Sequence, residues 1–158
     1  TARDFAKSPP GKLEREIRST GFFNNKAKSI RGAAAALAER HGGEVPRTME
    51  EALALPGVAR KTANVVRGEC YGLADGVVVD THVTRLSRRM GLTAHADPVK
   101  IERDLMELLP QKEWIAFSHR LIRLGRTVCT ARNPACPTCP VAFHCPKIGV
   151  EAGRRTST

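Results

Sequence analysis

The run Leu55-Pro56-Gly57-Val58-Ala59-Arg60-Lys61-Thr62-Ala63-Asn64-Val65-Val66 constrains this chain more than any other. Pro56 presets φ and Gly57 is free to take a positive φ, so the backbone can bend sharply and pass straight into a helix. Ala63 and Val66 mark an apolar face on that helix, while Arg60 and Lys61 stand in its first turn. A helix start offers unpaired N–H groups and the positive end of the dipole, which suit an anion and disfavour cations. Two cations at that end ask for a polyanion to lie against them. For the turn alone, an ordinary loop-to-helix junction with two solvated cations competes with that reading.

Charge extends the argument. A net charge of +10 over 158 residues and a pI near 10.0 fit a nucleic acid or another anionic surface. Aromatic residues make up only 4%, which argues against a base-stacking platform of the single-strand-binding kind. The length allows one or two small domains with a core that needs no disulfides. No apolar run is long enough to span a bilayer and no signal-peptide pattern opens the sequence, so no membrane is expected and the chain is expected to be intracellular. In that setting grouped cysteines point to metal before disulfide.

Helical spacing recurs along the chain and sustained alternation does not, so the expected fold is all-α. Thr1 to Gly11 reads as loop; Leu13 and Ile17 mark a short helix closed near Gly21. Asn24 or Asn25 is the expected cap of a helix carrying Ala27, Ile30, Ala34 and Leu37, which ends at His41-Gly42-Gly43. Thr48 to Glu51 has the capping-box form. Asp80 can cap a helix through Met90 that stops at Gly91. Asp97-Pro98 opens one with Ile101, Leu105 and Leu108. Trp114, Phe117, Leu121 and Leu124 outline the last long helix, with Gly125 as its expected stop.

Cys129, Cys136, Cys139 and Cys145 follow the spacing C-x6-C-x2-C-x5-C. Thiolates this close can hold zinc or a cubane iron–sulfur cluster, and the residues alone do not separate the two. Pro137, Pro140 and Pro146 stiffen the loop for either. Cys70 reads as a small core residue. Arg67, Arg85, Arg88, Arg89, Arg120, Arg123 and Arg126 add to Arg60 and Arg132 as basic groups, some expected on phosphates and runs such as Arg88-Arg89 on solvated faces.

The Leu-Pro-Gly-Val hairpin with Lys-Thr-Ala-Asn, the later Val79-Asp80-Thr81-His82-Val83 and the cysteine spacing agree in order with one family. From about Phe5 to Cys145 the chain resembles the endonuclease III branch of the helix-hairpin-helix DNA glycosylase superfamily. The resemblance implies a helical bundle with a C-terminal four-iron, four-sulfur loop, zinc being the alternative. It implies a bifunctional glycosylase and abasic-site lyase that removes oxidised pyrimidines from double-stranded DNA as a monomer, at the nucleoid or in the cytoplasm. Lys61 sits where lyase-active members place their Schiff-base nucleophile; adenine glycosylases, which lack lyase activity, have no lysine there. Burial and neighbouring cations are expected to favour the neutral amine. Asp80 matches the catalytic aspartate, against the plainer reading of an N-cap, and both roles can coexist. Gly57, Ala59, Arg60 and Arg132 are implied DNA contacts. The alternatives are a monofunctional glycosylase and a non-catalytic DNA-binding fragment.

Two departures from the family pattern shape further expectations. Ala59 stands where the hairpin usually has a second glycine, so its phosphate contact is expected to survive because the residue is already helical. The chain also starts well inside the family sequence, and the N-terminal helices are expected to be missing, with lower stability as a result. The expected division is a partial N-terminal segment at 1–21 and a helical domain at 22–110. That domain carries the hairpin at about 48–70 and the aspartate loop at 76–83. A cluster-side helix and loop at 111–148 and a disordered tail at 149–158 complete it.

Overall fold

The computed structural model describes residues 1–150, and from Glu151 onward the expected tail lies outside the described residues. Among the described residues every regular element is helical, as the spacing implied. They form two compact units, Thr1–Asp75 and Gly76 onward.

The first unit holds α1 (Ala2–Ala6), α2 (Lys12–Glu16), α3 (Phe23–Arg40), α4 (Met49–Leu53) and α5 (Arg60–Tyr71). The segment expected to be loop thus contains a helix. Thr1 and Asp4 form a reciprocal capping box, and α1 packs on α3, a tertiary gain that local pattern does not reveal. The start of α3 also departs from expectation. Its cap is Phe22, in a left-handed conformation at φ +48°, and Asn24 and Asn25 fall inside the first turn.

The buried residues of α3 are the small Ala27, Ala34 and Ala36, so its neighbours approach closely. Gly32 meets the ring of Pro56, where an added Cβ would lie 3.1 Å away. Gly57, at φ +75°, rests on Ser29; a Cβ there would come within 2.4 Å of the serine side chain. The Pro-Gly turn is therefore seated on α3 twice over. Glu14 on α2 takes a bidentate pair from Arg31 on α3 at 3.1 and 2.5 Å. Hydrogen bonding from that guanidinium holds the Glu14 carboxyl down at about 2. The far end of α5 is braced by Arg67, which donates to the Arg47 carbonyl at 2.8 Å and pairs with Asp75. Tyr71 donates to the Val45 carbonyl beneath the stacked Arg47 guanidinium. Cys70 is exposed, which corrects its placement in a core.

The second unit holds α6 (Thr81–Arg89), α7 (Pro98–Leu108) and α8 (Trp114–Thr127), followed by the cysteine loop. Val77, Val83, Leu86, Ile101, Leu105 and Leu121 form its core. Each such side chain contributes about 1.5–3 kcal/mol through burial. Leu108 is 58% exposed, and Leu109 packs inward in its place. Ser118 donates to the Trp114 carbonyl at 2.9 Å and accepts from Val78 N–H at 3.1 Å, fixing the run that leads into α6. Gly125 does not stop α8. It is buried inside the helix because His82 and Arg85 press against it, with a Cβ there only 2.8 Å from His82 Nδ1. Gly149 and Val150 close a turn through a bond from Val150 N–H to the Lys147 carbonyl. Among the described residues no helix is long and apolar enough to cross a membrane.

Candidate active site and cluster loop

The first unit carries Gly57, Ala59, Arg60 and Lys61 together, at the hairpin turn and the first turn of α5. Ala59 is the N-cap, with φ −95° and ψ 167°. It is extended rather than helical as expected, and since φ is negative a methyl costs nothing there. No side chain caps α5 and no acid stands in its first turn. The leading N–H groups of this helix thus form the positive dipole end with two cations beside them, a poor arrangement until an anion arrives. Arg60 reaches the Asp75 carbonyl at 3.5 Å. Lys61 is exposed, so the burial expected for it is not found in this state. One turn on, Asn64 is 4% exposed and its Oδ1 is without a hydrogen-bond partner among the described residues.

Asp80 lies in the second unit as the N-cap of α6. Its Oδ1 accepts from His82 N–H and Val83 N–H, both at 2.8 Å. The cap fixes the carboxylate and directs one oxygen inward to the helix. His82 Nδ1 sits 3.2 Å from the Arg85 guanidinium, which donates to the carbonyls of Gly125 at 2.9 Å and Cys129 at 3.0 Å.

Cys129, Cys136, Cys139 and Cys145 line one cavity, walled by apolar side chains such as Leu86, Met90, Leu124 and Val141. Four thiols around one shielded, apolar space fit an iron–sulfur cluster, in which each thiolate binds its own iron. Arg89, expected on a solvated face, is instead drawn into the loop: it donates to the carbonyls of Thr130 at 2.7 Å and Ala131 at 2.8 Å. Arg132 follows directly and is exposed. The spacing of Arg85 and Arg89, four apart and so on one helical face, was the sequence signal for their shared task. Phe22, 88% exposed at a strained φ of +48°, carries no comparable sequence signal.

A family profile described as HhH-GPD superfamily base excision DNA repair protein matches residues 1–111. The chain belongs to that family. A second profile, the iron–sulfur binding domain of endonuclease III, matches residues 129–145, the span of the four cysteines. The cofactor of this loop is the four-iron, four-sulfur cluster, not zinc.

Endonuclease III of Synechocystis sp. is 58% identical over 134 residues, 85% of this chain and 61% of that protein. That of Bacillus subtilis is 42% identical over 143 residues, 90% of this chain and 65% of its own. The chain therefore spans less than two thirds of the length of these relatives. Among solved structures, a non-covalent complex of endonuclease III with DNA superposes with a TM-score of 0.84 at 42% identity, covering 93% of this chain and 69% of that one. A trapped covalent intermediate of endonuclease III with DNA gives 0.83 at 42% identity over the same shares.

Proposed function

We propose that this chain is a bifunctional DNA glycosylase and abasic-site lyase that removes oxidised pyrimidines from double-stranded DNA. The observation that carries the reading is a lysine, Lys61, exposed in the first turn of α5, a helix that starts directly after the Pro-Gly turn with no side-chain cap. The likeness to an endonuclease III trapped covalently on DNA supports it.

In this reading the Lys61 amine, freed of its proton, attacks C1′ of the deoxyribose and the base departs with its bonding pair. The imine that follows withdraws electrons from C2′, so a proton leaves there and the 3′ carbon–oxygen bond breaks by β-elimination. Asp80 is the carboxylate that takes a proton or faces the positive charge growing on the sugar; with Oδ1 held by the cap, Oδ2 is the atom for that role. The first N–H groups of α5, the backbone at Gly57 and Ala59, and the side chains of Arg60 and Arg132 grip phosphates. Phe22, exposed and held at a strained φ, is suited to fill the gap left when a base turns out of the duplex. Cys129, Cys136, Cys139 and Cys145 hold the cluster, which when bound braces the loop that presents Arg132. The protein acts as a monomer inside the cell, on chromosomal DNA.

Borohydride trapping on a duplex with one abasic site tests this. The wild type is expected to give a covalent protein–DNA band and Lys61→Ala none. No band from a cluster-loaded wild type that still binds the duplex would overturn the lyase. A monofunctional glycosylase or a DNA-gripping module would then remain.

A further inference from the structure

We propose that Arg89 governs the redox poise and the retention of the cluster, acting as a positioning residue at both ends of its loop. The proposal rests on the reading of the four cysteines as cluster ligands. Arg89 stands in the last turn of α6. Its Nη1 donates to the Thr130 carbonyl at 2.7 Å and reaches Cys129 Sγ at 3.3 Å, while Nη2 donates to the Ala131 carbonyl at 2.8 Å. Its own carbonyl accepts from Ile148 N–H at 3.0 Å and lies 3.5 Å from Cys145 Sγ. One residue thus grips the first ligand by its side chain and the end of the loop by its backbone. Arg88, the residue just before it, is exposed.

Hydrogen bonds and charge at a ligating sulfur set the potential of an iron–sulfur centre, alongside solvent access. A guanidinium against Cys129 favours whichever cluster state carries one electron more, because that electron makes the thiolate a better acceptor. No bond forms or breaks and no proton moves. The electron comes from an electrode or a titrant dye. The two carbonyl bonds serve a second end, since they keep Cys129 from swinging out and opening the apolar cavity to solvent.

The test compares cluster-loaded wild type with R89Q and R88Q, following the visible spectrum during a reductive titration. At the wild-type midpoint the reduced-to-oxidised ratio in R89Q is expected to fall about tenfold, which for one electron is 59 mV. R88Q removes the same formal charge and is expected to stay within about twofold of wild type, because an exposed charge is screened. An unchanged R89Q, or an equal drop in R88Q, overturns the proposal. Should R89Q fail to take up iron, R89K decides. Its single ammonium cannot span the three acceptors, and its absorbance is expected to bleach several times faster than wild type under a chelator; bleaching at the wild-type rate overturns the proposal. A wild type without iron and sulfide would bring down the ligand reading itself, and this proposal with it.

Discussion

Gly125 shows how one residue type can carry two opposite signals. Past an apolar stripe it reads as a stop, yet it lies buried in α8 because His82 leaves no room for a Cβ. Helix propensity favours alanine over glycine by about 1 kcal/mol, whereas overpacking a tight contact costs about 1–3 kcal/mol. Packing wins, so Gly125→Ala is expected to lower the melting temperature; a rise would mean that His82 moves aside freely. Asp80 poses a different question, since the cap and the proposed catalytic group are the same side chain. Asp80→Asn retains a good cap and loses the carboxylate, so base removal is expected to collapse while stability holds. Asp80→Ala is expected to lose the activity and about 1 kcal/mol of stability besides. Equal melting temperatures for the two variants would remove the cap from the account. Asp80 was legible because a cap is a local arrangement. Cys70 was not, since nothing nearby in sequence tells an exposed helical cysteine from a buried one.

At the level of elements, α5 begins without a side-chain cap. Ala59→Asp would supply one and is expected to stabilise the protein by about 0.5–2 kcal/mol. It would also set a carboxylate where a phosphate is proposed to bind, so duplex affinity is expected to fall as the melting temperature rises. Tighter binding by this variant would remove α5 from the DNA interface. The join of α2 to α3 carries a pH signature. Glu14 is held at about 2, below its ordinary 4.5, so its contribution is complete above 4.5 and disappears as the pH falls through 2. Against Glu14→Gln in urea, the wild type is expected to keep a constant advantage from pH 8 to pH 5 and to lose it on further acidification. An advantage that persists unchanged at the acid end would contradict the pairing. Capped and periodic helices such as α6 and α7 could be read from the sequence. The α1 helix could not, because its stability comes from packing on a distant partner.

Across the whole molecule the charge of +10 is not all available to a ligand. Arg67, Arg85 and Arg89 are committed to carbonyls, a carboxylate and a thiol within the protein. Composition cannot show that division, since a structural arginine and a phosphate-binding one count alike. Exposed Arg132 is the better candidate for a DNA contact. Arg132→Gln is expected to reduce the slope of log affinity against log salt by about 1 while leaving stability unchanged. A slope that does not move would exclude it from the phosphate contacts.

The seat of the Pro-Gly turn has a consequence for anyone who wishes to alter this protein. Gly57 leaves no space beneath itself, because Ser29 already fills it, and Pro56 is likewise met by Gly32. The height of the turn is thus decided about thirty positions upstream, on a helix with no evident part in the chemistry. A directed-evolution library aimed at the reach of the hairpin should therefore randomise Ser29 and leave Pro56-Gly57 alone. Enlarging Ser29 lifts the turn, shrinking it lets the turn settle, and in both cases the peptide groups that would meet the ligand keep their identity.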